Sequence, residues 1–129
     1  MLSVSFVIPT YNASLYLDSC LKSIRNQKYS QDKIEILIID GGSSDNTLSI
    51  AQKYDCQVLK NSKRLAEYGV QLGMQNAKGD LSVVFAADNE LVDTDWIQKV
   101  VDVFNGNSDI SAVWGRLASG RNDSALNKY

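Results

Sequence analysis

Apolar residues along this chain follow two alternating rhythms. Short runs rich in β-branched residues, at positions 4–8, 34–39, 56–60, 81–86 and 110–117, have the length and composition of strands. Between them, apolar positions recur at helical spacing. Leu17, Cys20, Leu21 and Ile24 form one stripe, Leu48 and Ala51 a shorter one, and Ile97, Val100, Val101 and Phe104 another. Residues 65–77 complete the helices and include Gly69 and Gly73. A glycine costs about 1 kcal/mol against alanine inside a helix, so close packing on a sheet is the expected compensation. The order βαβαβαβαβ predicts an α/β fold: a mostly parallel sheet with helices on both faces.

The element boundaries have local signals. Pro9, the only proline, is expected to close the first strand. Asn12 or Ser14 is expected to cap the first helix, Ser44 or Asp45 the second, and Asp93 or Thr94 the helix after the fourth strand. Residues 1–117 read as one domain and 118–129 as a polar, turn-rich tail. The run at 34–39 is apolar at almost every position, as in a strand buried on both faces. It leads into Asp40, Gly41 and Gly42, at the strand edge where open α/β sheets bind ligands.

Composition narrows the chemistry. The 129 residues include 13 basic and 15 acidic side chains, for a net charge of -2, with no basic stripe of the kind nucleic acid would require. There is no histidine, which removes imidazole bases, Ser-His-Asp and Cys-His systems, and most zinc sites. Cys20 and Cys56 lack a metal-binding spacing and read as reduced core residues, the second beginning a strand. No basic leader or membrane-spanning apolar run is present, so a cytoplasmic location is expected.

Three polar corners follow strands one, two and four, all at one edge of the sheet: residues 9–12, 40–45 and 88–90. Asp40 can accept from the N–H of a base, and backbone N–H groups near Gly41 and Ser43 can serve phosphate oxygens. Asp88, with Glu90 nearby, offers hard oxygen ligands to a divalent cation. No G-x-G-x-x-G or Walker A sequence follows the first strand, which disfavours dehydrogenases and P-loop enzymes.

Val7-Ile8-Pro9-Thr10-Tyr11-Asn12 and Ile38-Ile39-Asp40-Gly41-Gly42-Ser43-Ser44-Asp45-Asn46-Thr47 resemble the two opening motifs of the family 2 glycosyltransferases, which have a GT-A fold. The similarity covers residues 4–117. It implies a nucleoside diphosphate sugar, commonly a UDP sugar, as donor and an inverting transfer to an acceptor that is a glycan, lipid or protein. It further implies that Pro9, Thr10 and Tyr11 pack on the base and Asp40 reads its edge. Gly41, Ser43, Arg64, Ala87 and Asp88 would complete the donor site, and Asp88 would hold Mn2+ or Mg2+. Asp45 matches the acidic residue of the same loop, with capping as its alternative role.

The sequence departs from that family in several places. The metal motif, Asp-x-Asp in the family, reads Ala86-Ala87-Asp88 here, while Asp88-Asn89-Glu90 offers a shifted pair. Ala13 stands where the family often has Glu, and Val70-Gln71 where it often has Arg-Asn. The acceptor-binding strands and acidic general base that follow in the family have no counterpart, so the chain is expected to be the donor-binding half of a longer or split enzyme. No catalytic base is assigned; Glu67 and Asp95 read as helix-surface charge. The alternative is a non-catalytic nucleotide-sugar-binding module that assembles with another chain. A nucleotidyltransferase is disfavoured because residues 9–14 are not a glycine-rich basic loop. A homo-oligomer is left open.

Overall fold

A computed structural model of the chain describes residues 1–115. Strands β1 (Val4–Thr10), β2 (Ile34–Asp40), β3 (Gln57–Lys60) and β4 (Leu81–Val84) form one parallel sheet in the order β3-β2-β1-β4. Helices α1 (Leu17–Arg25), α2 (Thr47–Lys53) and α3 (Ala66–Asn76) lie in the crossovers, and α4 (Trp96–Gly106) follows β4. All four C-terminal strand ends therefore share one edge, which carries the three polar corners.

Both faces of the central strands are covered, which is why their sequences are continuously apolar. Phe6 and Ile8 of β1 and Ile36 and Ile38 of β2 meet the whole predicted stripe of α1, Ala51 of α2, and Ile97 and Val101 of α4. Val7, Leu37 and Ile39 point the other way and pack with Leu59, Leu72 and Ala77 on the α3 side. Here the two helix glycines have their explanation. A Cβ at Gly73 would lie 2.2 Å from Cγ1 of Val7, and one at Gly69 would lie 3.4 Å from Cβ of Pro9. At Gly73 only glycine lets α3 approach the sheet this closely, whereas at Gly69 the contact with Pro9 would be an ordinary one.

Several boundaries differ from expectation. Pro9 does not close β1, which pairs with β2 through Thr10↔Asp40. The Val7 carbonyl accepts the Phe85 N–H, whereas the Thr10 carbonyl accepts from Gly41 beside β2. Alternate residues direct their peptide groups to opposite neighbours, so Pro9 faces β4. Its missing N–H ends the β4 pairing at Val7↔Val84 and leaves the β2 side intact. β4 accordingly stops at Val84 rather than Ala86, and β3 begins at Gln57 rather than Cys56. Residues 110–115 form no strand, and the rest of the fifth predicted strand and the tail lie outside the described residues.

The caps differ too. Neither Asn12 nor Ser14 caps α1, which begins after Tyr16 without a side-chain cap. Neither Asp93 nor Thr94 caps α4; Oε1 of Gln27, distant in sequence, accepts the Ile97 N–H at 3.1 Å. Leu48 is exposed, and Thr47 and Ala51 are the inward residues of α2. Both cysteines are free thiols. Burial pushes Cys20 up to about 12 and Cys56 up to about 11, so neither is a thiolate nucleophile at neutral pH.

Candidate functional site: two acidic corners at one sheet edge

Asp40 ends β2, which like β1 is buried at all but one position, and is itself only 4% exposed. Oδ1 accepts from the hydroxyls of Thr10 (2.8 Å) and Ser43 (2.6 Å), and Oδ2 from the amides of Gly42 (3.0 Å) and Ser43 (2.8 Å). A carboxylate offers about four acceptor positions, so this one is saturated. Burial works against its charge, but the Ser43 hydroxyl and amide, the Thr10 hydroxyl and the Gly42 amide together hold it below the usual carboxylate range. Gly42, at φ 96°, supplies the left-handed conformation that lets the chain fold back onto the carboxylate.

The amides offered to phosphate by the sequence are already engaged. Gly41 N–H donates to the Thr10 carbonyl at 2.9 Å, and Ser43 N–H to Asp40. The loops after β1 and β2 are locked together. Asn12, at φ 48°, accepts from the Ser44 amide at 2.8 Å, while its own amide donates to the Ser43 hydroxyl at 2.8 Å. Asp45 accepts from the Thr47 hydroxyl and amide and from the Ser14 amide, and these bonds hold its carboxyl well below the ordinary range. Neither Ser44 nor Asp45 is the N-cap of α2, which is Asn46 without a side-chain cap; Asp45, one residue earlier, instead accepts the amide of Thr47, the first helical residue, and ties it to the β1 loop. The Thr47 hydroxyl in turn accepts the Ala13 amide at 2.8 Å.

Tyr11 stands out from this frame, 53% exposed. The Arg64 guanidinium lies over its ring, 5.3 Å from the centroid. The same side chain crosses the glycine turn: a Cβ at Gly41 would lie 3.5 Å from Cγ of Arg64, and one at Gly42 3.5 Å from Nη2. Arg64 has no carboxylate partner among the described residues, where Lys53 and Lys99 supply the ion pairs. Lys63 instead lies over Tyr68, 4.3 Å from its ring centroid. An open groove between α1 and α2, lined by Ser14, Asp18, Asn46 and Lys53, contains none of the expected donor-site residues. Its charges satisfy each other in the Asp18–Lys53 pair at 2.9 Å.

The Asp88 corner is a different environment. Val7↔Val84 is the last β1–β4 pair, and Tyr11 and Asp88 each follow it by four residues in sequence. Ala87 is half-buried against the core, whereas Asp88 and Glu90 are exposed. The Asn89 amide donates to the Ala86 carbonyl at 3.1 Å, forming a tight turn. Among the described residues no group of three potential metal ligands is assembled.

The sequence profile of "Glycosyl transferase family 2" matches residues 5–128. The chain belongs to that family. Curated relatives include the dolichyl N-acetyl-alpha-D-glucosaminyl phosphate 3-beta-D-2,3-diacetamido-2,3-dideoxy-beta-D-glucuronosyltransferase of Methanococcus voltae. It is 35% identical over 65% of this chain and 28% of its own length. Glycosyltransferase AglE of Haloferax volcanii is 26% identical over 96% of this chain and 45% of its own length. The chain thus spans less than half of either relative. Residues 1–349 of Staphylococcus aureus TarS, solved with UDP, share the fold at a TM-score of 0.75 and 19% identity, over 92% of this chain and 38% of that one. Mannosyltransferase PcManGT from Pyrobaculum calidifontis, solved with GDP-Man and Mn2+, does so at 0.73 and 22%, over 80% and 32%. The expected fold and family are therefore both shown: this is part of a GT-A domain from a family of enzymes named for glycosyl transfer. Among the described residues no helix is long and apolar enough to cross a membrane.

Motif reading located both corners but missed the residues that brace them. Asn12 and Asp45 lie inside the motifs, and their role as cross-links depends on contacts between loops. Asn61, the first polar residue after β3, is 4% exposed, and no local pattern distinguishes it from an ordinary turn residue.

Proposed function

We propose that the corner formed by residues 9–12 and 40–43, with Arg64, binds the nucleoside diphosphate of a nucleotide sugar, with UDP as the first candidate. The chain then serves as the donor-binding half of a glycosyltransferase. The observation that carries this reading is the exposed Tyr11 ring beside a cation that has no carboxylate partner among the described residues, both set on a saturated Asp40 turn. An aromatic face takes the base, with Pro9 and Thr10 behind it, and a guanidinium takes phosphate oxygens through paired N–H donors. Asp40 reads the base edge by exchanging one hydroxyl donor, from Thr10 or Ser43, for a base N–H. Gly41 and Ser43 contribute shape, since their amides are engaged.

The Asp88 corner fits only one kind of metal site. Mg2+ and similar ions are commonly held by one or two carboxylates together with substrate phosphates. One carboxylate at the mouth, with Ala87 beside it and Ala86 contributing no side-chain oxygen, suits an ion that arrives with the nucleotide. Such an ion would neutralise charge on a departing diphosphate. In the same reading an acceptor hydroxyl, on a glycan, lipid or protein, attacks the anomeric carbon from the face opposite the diphosphate, and the configuration inverts. The base for that step is not assigned here: Asp95 is paired with Lys99 at 2.9 Å, and Glu67 is exposed in the first turn of α3. A cytoplasmic location belongs to the same reading.

The test is thermal unfolding with UDP, GDP or dTDP, each with and without manganese. A ligand present at 100 times its dissociation constant adds about 2.7 kcal/mol, which moves the midpoint visibly. No shift with any of the three at millimolar concentration would overturn the donor-site reading. The alternative, a binding module without catalysis, is favoured by Ala86 in the metal motif. It predicts binding with no release of UDP from UDP-glucose above background, which is also the expectation for a donor half acting alone. Metal-dependent release at enzyme-like rates would overturn both.

A further inference from the structure

Arg64 adopts φ 55°, a left-handed conformation that costs energy for a residue with a Cβ. Something must hold it there, and the structure shows what does. Asn61 uses every polar group it has on the loop between β3 and α3 or on the end of β2. Its Nδ2 donates to the Leu65 carbonyl at 2.8 Å, and its Oδ1 accepts the Lys63 amide at 3.2 Å. Its backbone carbonyl accepts the Arg64 amide at 3.3 Å, and its own amide donates to the Asp40 carbonyl at 2.7 Å. Four bonds from one buried residue close the turn around Arg64 and fasten it to the Asp40 strand end.

Gly69 makes room for this arrangement. A Cβ there would lie 3.1 Å from Nδ2 of Asn61, tighter than an ordinary contact. The left-handed turn in turn sends the Arg64 side chain back over Gly41 and Gly42, with its guanidinium on the Tyr11 ring. A long, flexible side chain is thereby kept near one position before any anion arrives. Pre-organisation of this kind raises affinity because less side-chain freedom is lost on binding.

We propose that Asn61 is the positioning residue for the Arg64 guanidinium, holding it where it meets the diphosphate of a bound nucleotide. This rests on the donor-site reading above. Asn61 touches no ligand itself; it acts through Arg64. Its effect should therefore appear with ligands that carry phosphate, be absent with those that do not, and vanish once Arg64 is gone.

The experiment is a double-mutant cycle on the full chain, with Asn61→Ala and Arg64→Ala, measuring the affinities of UDP and of uridine by calorimetry. Each single substitution should weaken UDP about tenfold, the scale of one hydrogen bond to a charged group. The double variant should be no weaker than Arg64→Ala alone, since the two act as one unit. Uridine affinity should stay within about twofold throughout, because one unit acting on phosphate leaves the base contacts alone. If Asn61→Ala does not fold, Asn61→Ser takes its place: its hydroxyl can still accept the Lys63 amide but cannot reach Leu65, and a partial, UDP-only loss is expected. UDP binding that ignores Asn61, a loss shared equally by uridine, or strict additivity with Arg64→Ala overturns the inference alone. Absence of UDP binding to the unsubstituted chain overturns the donor-site reading and the inference together.

Discussion

The corners after β2 and β4 occupy equivalent places in the topology, each the C-terminal end of a parallel strand carrying an aspartate, yet they are physical opposites. Asp40 is buried and accepts four hydrogen bonds from its own chain. Asp88 is exposed, in a short turn beyond a strand that among the described residues has a neighbour on one side only. The difference follows from position in the sheet. β2 is flanked by β1 and β3, so two loops, Thr10–Asn12 and Asn61–Arg64, close over its end. Among the described residues β4 pairs with β1 on one side only, and Pro9 ends that pairing early. A carboxylate enclosed by neighbours shapes a site and can meet a ligand only by giving up one of its own donors, whereas one left in solvent keeps its lone pairs for a ligand.

The largest expected effect tests the structural side of this contrast. Asp40→Ala removes a buried carboxylate and leaves its donors unpaired, and should cost about 3 kcal/mol or more in urea unfolding. A loss under about 1 kcal/mol would mean that the corner is not held by its aspartate. Removing the donors singly should do less: Thr10→Val and Ser43→Ala should each cost about 1–2 kcal/mol, as expected for hydrogen bonds to a charged group.

The acid side of the stability profile sharpens the same point. The unfolded aspartate titrates near pH 3.9, and Asp40 titrates lower in the folded chain. As pH falls, the unfolded state takes up the proton first, so the contribution of Asp40 is complete above about pH 5 and declines as pH drops through its folded value. The stability gap between the unsubstituted chain and Asp40→Asn should therefore be flat from neutrality to about pH 5 and narrow below about pH 4. A gap that widens toward acid would contradict the hydrogen-bond account.

The smallest effect on stability belongs to Asp88. Asp88→Asn should change the unfolding free energy by less than about 0.5 kcal/mol, as for most surface substitutions. Its signature lies in binding: manganese should no longer strengthen UDP affinity, while the metal-free affinity stays nearly unchanged. An equal loss with and without manganese, or no loss in either, would remove Asp88 from the metal site.

The apolar spacing of α1 gave its buried face residue for residue, and the continuous run at 34–39 marked the strand covered on both sides. The glycines of α3 were legible as close packing because their helix cost needed a compensation. Caps and strand ends were less legible. Along the chain Pro9 signals a strand end, whereas its missing N–H acts sideways, on β4 alone. The start of α4 is capped by Gln27, a residue no local pattern connects to it.

What the sequence determined by itself is the alternation of strand and helix, the buried faces, and the family through its two opening motifs. Given a parallel sheet, it also determined that Asp40 and Asp88 lie at one edge. These properties follow from periodicity and turn chemistry, which act within a few residues. Only the tertiary structure decided which polar groups at that edge are occupied and which are free. Asp40 is saturated by Thr10, thirty residues away, and by its own turn; Asn12 reaches Ser44 across thirty-two. Arg64 reaches the glycine turn from beyond β3. Hydrogen bonds between loops that meet only after the sheet has formed leave no local trace, so whether a group is free to bind is a property of the assembled edge.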